Sequence, residues 1–453
     1  MPPIHPFRAI TYTSLADARD SGAGVDLSAF IAPPYDVLDE GAKAALLARS
    51  SKNIVAVDLP HLPAKELGPA AAYTAAAATY RSWLADGTLT RLRPPAIFCY
   101  RQTFQHHGAL HQRTGFACTL DLVPFGPHEG GGMLPHEETF SGPKADRMAL
   151  MKATGVQLSP IFGLYADDRR TGSHLGAQVC ASRPPDASAR TADMTLHEVW
   201  TITDGALIAQ LEAALAGEDI FIADGHHRYT TQLNYVNELK LPPGHPARRC
   251  MFVLISMSDP GTVIGPTHRV LGGMQKYTWD AFKAAAAPHL RFEPIADTTD
   301  LAAIEAALNQ ATHLGKPRVA VYDFATRQAA IAVPVMPDPL KARFGSKPEA
   351  WRRLDVAFVQ HILVEQICQP ALNAGKPVQW AFPHTTAEVA EIGAGHQRGS
   401  GGGDGFVPQL AVLVRPTPLQ AVREVSHAGE LMPQKSTFFL PKLATGLFMN
   451  PLE

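Results

Sequence analysis

Between Val199 and Leu239 the chain reads strand, helix, strand, helix. The last join, Phe221-Ile222-Ala223-Asp224-Gly225-His226-His227-Arg228-Tyr229, constrains the fold most. An apolar strand that passes through a glycine into a helix puts the first backbone N–H groups of that helix at the carboxyl end of a strand, where open α/β sheets bind ligands. Those N–H groups have no intrahelical partners and carry the positive end of the helix dipole, so the turn favours an anion. Gly225 admits close approach of a ligand, and Arg228 can grip a phosphate or carboxylate with two hydrogen bonds. Asp224, His226 and His227 add a candidate metal ligand and acid or base groups, more than an ordinary helix cap requires. At such a helix start Arg228 is expected to be exposed.

The rest of the sequence supports a mixed α/β or α+β fold. Ala32 to Val37 and Asn53 to Leu59 read as short strands, and Ala70 to Leu84 as a helix with Tyr73, Tyr80 and Trp83 on one core face. Ala96 to Gln102 and Gly115 to Leu122 predict a hairpin closed across His106-His107-Gly108. Residues 279 to 337 read as helix, helix, strand, strand, and helical periodicity resumes from Leu354 to Ile367. These segments predict a core over residues 1–275 and an α+β lobe over 276–453 whose C-terminal segment returns to the active site. The glycine-rich run from Gly393 to Gly405 lacks the flanking strand and helix of a nucleotide loop and is read as a flexible connector.

Composition excludes several classes of function. Lys plus Arg number 40 against 42 Asp plus Glu, a net charge of -2, so no overall field draws the chain to nucleic acid or an anionic membrane. With 46% hydrophobic residues a large core is within reach, and no window offers the run of apolar residues that a membrane span needs. The 5 cysteines are scattered, without zinc-site spacing, and the N-terminus has no apolar signal core; a reducing cytoplasm is the expected setting.

Two further stretches concentrate chemistry. Pro135-His136-Glu137-Glu138-Thr139 leads to Lys144 and Arg147, and Met432-Pro433-Gln434-Lys435-Ser436-Thr437 leads to Pro441-Lys442. Solvated ion pairs, or a helix cap and an edge strand, would explain them as well.

Taken in order, Pro6-Phe7-Arg8-Ala9, Ala32-Pro33-Pro34-Tyr35-Asp36-Val37, Pro135-His136-Glu137, Asp224 to Tyr229, Pro266-Thr267-His268-Arg269, Leu354-Asp355-Val356 and Met432 to Thr437 resemble the domain of unknown function 1015 family over nearly the whole chain. The Asp-Gly-His-His-Arg turn is also similar to that of the ParB and sulfiredoxin-like group, which includes free serine kinases. This second resemblance implies a nucleotide-binding core with added lobes, ATP or ADP held with Mg²⁺, and phosphorylation of serine or a similar hydroxylated metabolite. It implies Asp224, Gly225, His226, His227 and Arg228 as the phosphate cradle, with Asp224 on the metal. Asp36 or Glu137 is then the general base, with His226 and His227 as further catalytic candidates. Lys144, Arg147, His268, Arg269 and Lys435, with Ser436 and Thr437, supply the remaining cofactor contacts. Two alternatives stay open: hydrolysis of phosphoserine or another phosphomonoester, and a nucleotide-binding switch without catalysis. The expected partner is a small molecule, neither nucleic acid nor membrane.

Overall fold

A computed structural model describes residues 2–22, 24–137, 142–295, 300–310, 316–395 and 406–453. Glu138, Thr139 and the glycine-rich residues 396–405 lie outside the described residues. The chain divides into two compact units, one comprising Met1–Pro135, Thr139–Val263 and Phe439–Glu453, the other His136–Glu138 and Ile264–Phe438. The contacts therefore change over at Val263 and Ile264, and residues 439–453 join the first unit.

The first unit is built on a ten-stranded mixed sheet: β1 Ile4–His5, β2 Val25–Asp26, β3 Ile97–His106, β4 Ala109–Asp121, β5 Met133–Leu134, β6 Ile161–Tyr165, β7 Ala187–Arg190, β8 Leu196–Ile202, β9 Ile220–Asp224 and β10 Arg249–Ser256. Their order is β2-β7-β8-β3-β4-β10-β6-β9-β5, with β1 also paired to β4. The expected hairpin is β3 and β4. It turns at His107 and Gly108, both with positive φ (47° and 75°), as a two-residue loop matching strand twist requires. The helices that matter for the site and its neighbourhood are α1 Ala70–Ala85, α2 Gly142–Thr154, α3 Thr171–Ser182, α4 Gly205–Leu215 and α5 His226–Glu238. Alternation along β3 sends Ile97 and Cys99 into a core with Leu175 and Val179 of α3 and Leu211 and Leu215 of α4. Phe98 instead stacks on Phe448 of the C-terminal segment, with ring centroids 5.3 Å apart. α2 packs against both α1 and α5, which brings their polar side chains together.

The apolar run Asn53 to Leu59 departs from its expected strand: Val55–Asp58 is a helical turn. Asn53 is the cause. Its buried amide donates to the carbonyls of Ala29 and Ile31 at 2.9 and 2.8 Å, and its oxygen accepts from the Val55 N–H at 3.0 Å. That local capping outweighs the strand preference of Ile54, Val55 and Val57.

The second unit holds a six-stranded antiparallel sheet in the order Leu290–Pro294, Ala329–Pro334, Val319–Asp323, Pro408–Val414, Arg269–Gly272, Gln379–Ala381. Trp279, Phe282 and the helical stretch Val359–Leu372 cover one core, and Ile304, Leu308, Val389 and Ile392 build the other. Leu290–Pro294 is a strand that the reading of 279 to 337 did not contain.

Candidate functional site

In the first unit the Asp224 turn forms as the apolar run and glycine dictate, but Asp224 and Arg228 face each other rather than solvent. The register of β9 against β6 shifts between Ile222 and Asp224, a bulge that redirects the Asp224 side chain. Gly225 follows with φ 98°, and a Cβ there would lie 3.1 Å from Nε of Arg228, whose guanidinium folds back over the turn. Arg228 Nη2 donates to Asp224 Oδ2, and Nη1 donates to the carbonyl of Pro160. The other carboxylate oxygen, Asp224 Oδ1, accepts from Lys442 Nζ at 2.5 Å. Lys442 arrives on a clamped segment: Gln102 Nε2 donates to its carbonyl at 2.9 Å, and Arg113, fully buried, donates to the carbonyls of Leu440 and Pro441 at 3.0 and 2.6 Å. Burial alone would raise the Asp224 carboxyl, yet Lys442 and Arg228 outweigh it and hold the group well below the usual carboxylate range.

A second charged network meets the first. Arg147 on α2 donates from Nε to Asp146 Oδ2 at 2.7 Å, and from Nη1 to the carbonyl and Oδ1 of Asp58 at 2.7 and 3.2 Å. Its guanidinium lies 3.8 Å from the centre of the Tyr35 ring. The other oxygen of Asp146 receives Tyr73 Oη and faces His61 Nε2, each at 2.8 Å. Ser159 Oγ donates to Asp58 Oδ2 at 3.2 Å. Burial pushes the Asp58 carboxyl up, against the pull of Arg147 and Arg228. Between the two networks is a cavity of about 30 Å³ lined by Asp58, Arg147, Gln157, Ser159, Arg228 and Thr231 together with apolar side chains that include Leu150 and Met151. That is room for one or two waters.

The structure thus brings Asp224, Gly225, Arg228 and Arg147 together, with buried His226 close enough to act electrostatically on Asp224 and half-buried His227 on the same helical turn. Asp36 follows Tyr35, and its Oδ1 is buried without a hydrogen-bond partner. Arg228 is not the exposed arginine expected at a helix start: its side chain is 10% exposed because both ends of its fork are engaged. Asp224 does not fit its expected role on Mg²⁺, since a cation already pairs with each carboxylate oxygen. Among the described residues no group of three His, Cys, Asp or Glu side chains is arranged to hold a metal ion. Lys144 stands apart, lining an open cleft of about 430 Å³ with Asn234, Asn237 and Glu238.

The remaining candidates belong to the second unit and are held by internal partners. Glu137 Oε1 accepts from the Lys435 N–H at 2.9 Å, and Lys435 has φ 61°. His136 Nε2 lies 2.7 Å from Thr437 Oγ1, and Ser436 Oγ donates to the Pro433 carbonyl. Arg269 spends its fork on the carbonyls of Thr267 and Lys435, and burial brings its pKa down to about 10. His268 is fully buried, receives the Val414 N–H at 3.2 Å on Nδ1 and has Nε2 3.3 Å from Glu305. Sequence reasoning assigned no site role to Asp58, His61 or Ser159, read Tyr73 only as a core aromatic, and did not single out Asp146 among the acids of its stretch. It passed over Lys442 in the Pro441-Lys442 pair, which gave no spacing cue.

A family model described as Protein of unknown function (DUF1015) matches residues 4–357. The chain belongs to that family. No curated protein sequence matches it. Among solved structures, this family member is similar to a free serine kinase in complex with AMP, at 12% identity and TM-score 0.32 over 72% of this chain and 95% of that one. SbnI with a C-terminal truncation, from Staphylococcus aureus, gives 11% and 0.33 over 74% and 87%. A conserved hypothetical protein from Pyrococcus furiosus gives 14% and 0.30 over 71% and 96%. Among the described residues no helix is long and apolar enough to cross a membrane.

Proposed function

We propose that the first unit binds a phosphorylated small molecule between Arg147 and Arg228 and transfers a phosphoryl group from ATP or ADP to serine or a similar small hydroxylated metabolite. The observation that carries this reading is the cavity shared by buried Arg147 and mostly covered Arg228, beside a glycine turn that opens a helix. Three cations, Arg147, Arg228 and Lys442, meet three acids, Asp58, Asp146 and Asp224. Burial pushes the Asp58 carboxyl up, towards the neutral form that competes least with an entering anion for Arg147. An entering phosphate accepts the Arg228 N–H hydrogen bond that now goes to the Pro160 carbonyl, and the first-turn N–H groups of α5 add to its charge balance.

Asp36 is assigned as the general base because its buried oxygen has no hydrogen-bond partner, whereas Glu137 already receives the Lys435 N–H. Asp36 takes the hydroxyl proton as the substrate oxygen bonds to phosphorus and the bond from phosphorus to the nucleotide's bridging oxygen breaks. Arg147, Arg228 and Lys442 offset the developing charge. All 5 cysteines are free thiols, which a reducing cytoplasm would preserve.

The test is phosphorus NMR of the protein with serine and either ATP or ADP. Formation of phosphoserine with matching loss of one nucleotide phosphate supports the assignment. Inorganic phosphate released from phosphoserine without nucleotide overturns it in favour of a phosphatase. Binding without turnover overturns it in favour of a switch.

A further inference from the structure

Cys99 on β3 and Cys180 near the end of α3 approach to 3.7 Å between sulfurs. Cys99 is fully buried, while Cys180 is only partly covered. The other three cysteines, Cys118, Cys250 and Cys368, are fully buried. Close seating of α3 on the sheet makes the approach: Cys99 Sγ lies 3.9 Å from the carbonyl of Gly176, and a Cβ on Gly176 would come 3.0 Å from Thr114 Cγ2.

We propose that Cys180 and Cys99 form a peroxide-reactive dithiol, in which the partly exposed Cys180 is oxidised first and the buried Cys99 resolves it. The Cys180 thiolate attacks hydrogen peroxide, the O–O bond breaks, and hydroxide leaves to take up a proton as water. Cys180 becomes a sulfenic acid. The Cys99 sulfur then attacks the Cys180 sulfur, the S–O bond breaks, and the Cys99 proton leaves with that oxygen as a second water. The two thiols have lost two electrons to one peroxide.

Local chemistry assigns the roles in this order. The hydrogen bond from Cys99 draws the Cys180 thiol below its ordinary value, and Arg101 adds to this against the pull of burial and of Glu198. The same hydrogen bond, with burial, pushes the Cys99 thiol up. Arg101 lies two residues along β3 from Cys99, on the same face, and is held by Glu198 through hydrogen bonds of 2.8 and 3.0 Å. The C-terminal end of α3 disfavours a thiolate, so these side chains supply the stabilisation. Nothing in this chemistry depends on phosphate binding.

The decisive experiment treats the folded, full-length protein with equimolar hydrogen peroxide, then alkylates, digests and maps the cysteines by mass spectrometry. The expected result is loss of two thiols and one linked peptide pair containing Cys99 and Cys180. In C99A, dimedone should label Cys180, and in C180S the fast thiol loss should vanish while circular dichroism stays that of the wild type. Should C99A fail to fold, the wild-type map decides alone. Five thiols surviving in the native protein, or a linkage through Cys118, Cys250 or Cys368, would overturn the proposal.

Discussion

Replacing Lys442 with methionine keeps most of the aliphatic stem and removes the charge from Asp224. Both partners are mostly buried, at 18% and 19% side-chain exposure, so solvent screens the pair only in part. Arg228 still holds the other oxygen, which leaves the carboxylate partnered rather than orphaned. The loss is therefore nearer that of one hydrogen bond between charged groups, about 2 kcal/mol, than the roughly 3–5 kcal/mol of a stranded buried ion. For a unit of this size about 2 kcal/mol corresponds to a fall of roughly 4 °C in Tm. The effect has a pH signature. With Asp224 held below its ordinary value, its contribution is complete above about pH 5 and disappears as acid protonates the folded carboxyl. Calorimetry of wild type and K442M should thus show the full difference at pH 7 and a shrinking one below about pH 5. A Tm unchanged at pH 7, as for a solvated surface pair, would refute the reasoning, and so would a gap that persists undiminished in acid.

Gly225→Ala places a Cβ at φ 98° against the Arg228 guanidinium, so urea unfolding should report a loss of about 2 kcal/mol; an unchanged midpoint would mean that the turn relaxes without strain. His197 is buried with Nδ1 2.6 Å from Tyr100 Oη, and burial brings its pKa down to about 4. Because the unfolded chain binds that proton near pH 6.5, stability should fall by roughly 2 kcal/mol from pH 7 to 5, and H197N should flatten the dependence. Parallel pH curves for the two proteins would exclude His197 as the source.

Much of the first unit was legible in the sequence where one local rule dominated. Tyr73, Tyr80 and Trp83 share a helix face and are buried in α1, and the β3–β4 hairpin closes where Gly108 permits it. The 221–229 stretch forms its strand, glycine turn and helix because the apolar run and Gly225 leave little else. Val55–Asp58 was misread because a buried side chain, Asn53, decides its conformation through carbonyls more than 20 positions away in sequence. The site was harder to see for the same reason. Asp58, Asp146, Ser159, Arg228 and Lys442 come from separate segments with no shared spacing, and only the packing of α2 against α5 and the clamp of Arg113 and Gln102 on residues 440–442 assembles them. Arg228 was singled out in the sequence for its forked hydrogen bonding, but its pairing with Pro160 and Asp224 depends on the fold.

Isothermal titration of ADP and of phosphoserine into the wild type and Arg228→Lys measures most directly whether the cavity captures phosphate. A lysine cannot reproduce the planar fork, so at least one ligand should bind the wild type saturably and at least about tenfold more weakly to the variant, a difference of roughly 1.4 kcal/mol. Failure of both ligands to bind the wild type, or equal affinity for the two proteins, would contradict the phosphate site between Arg147 and Arg228.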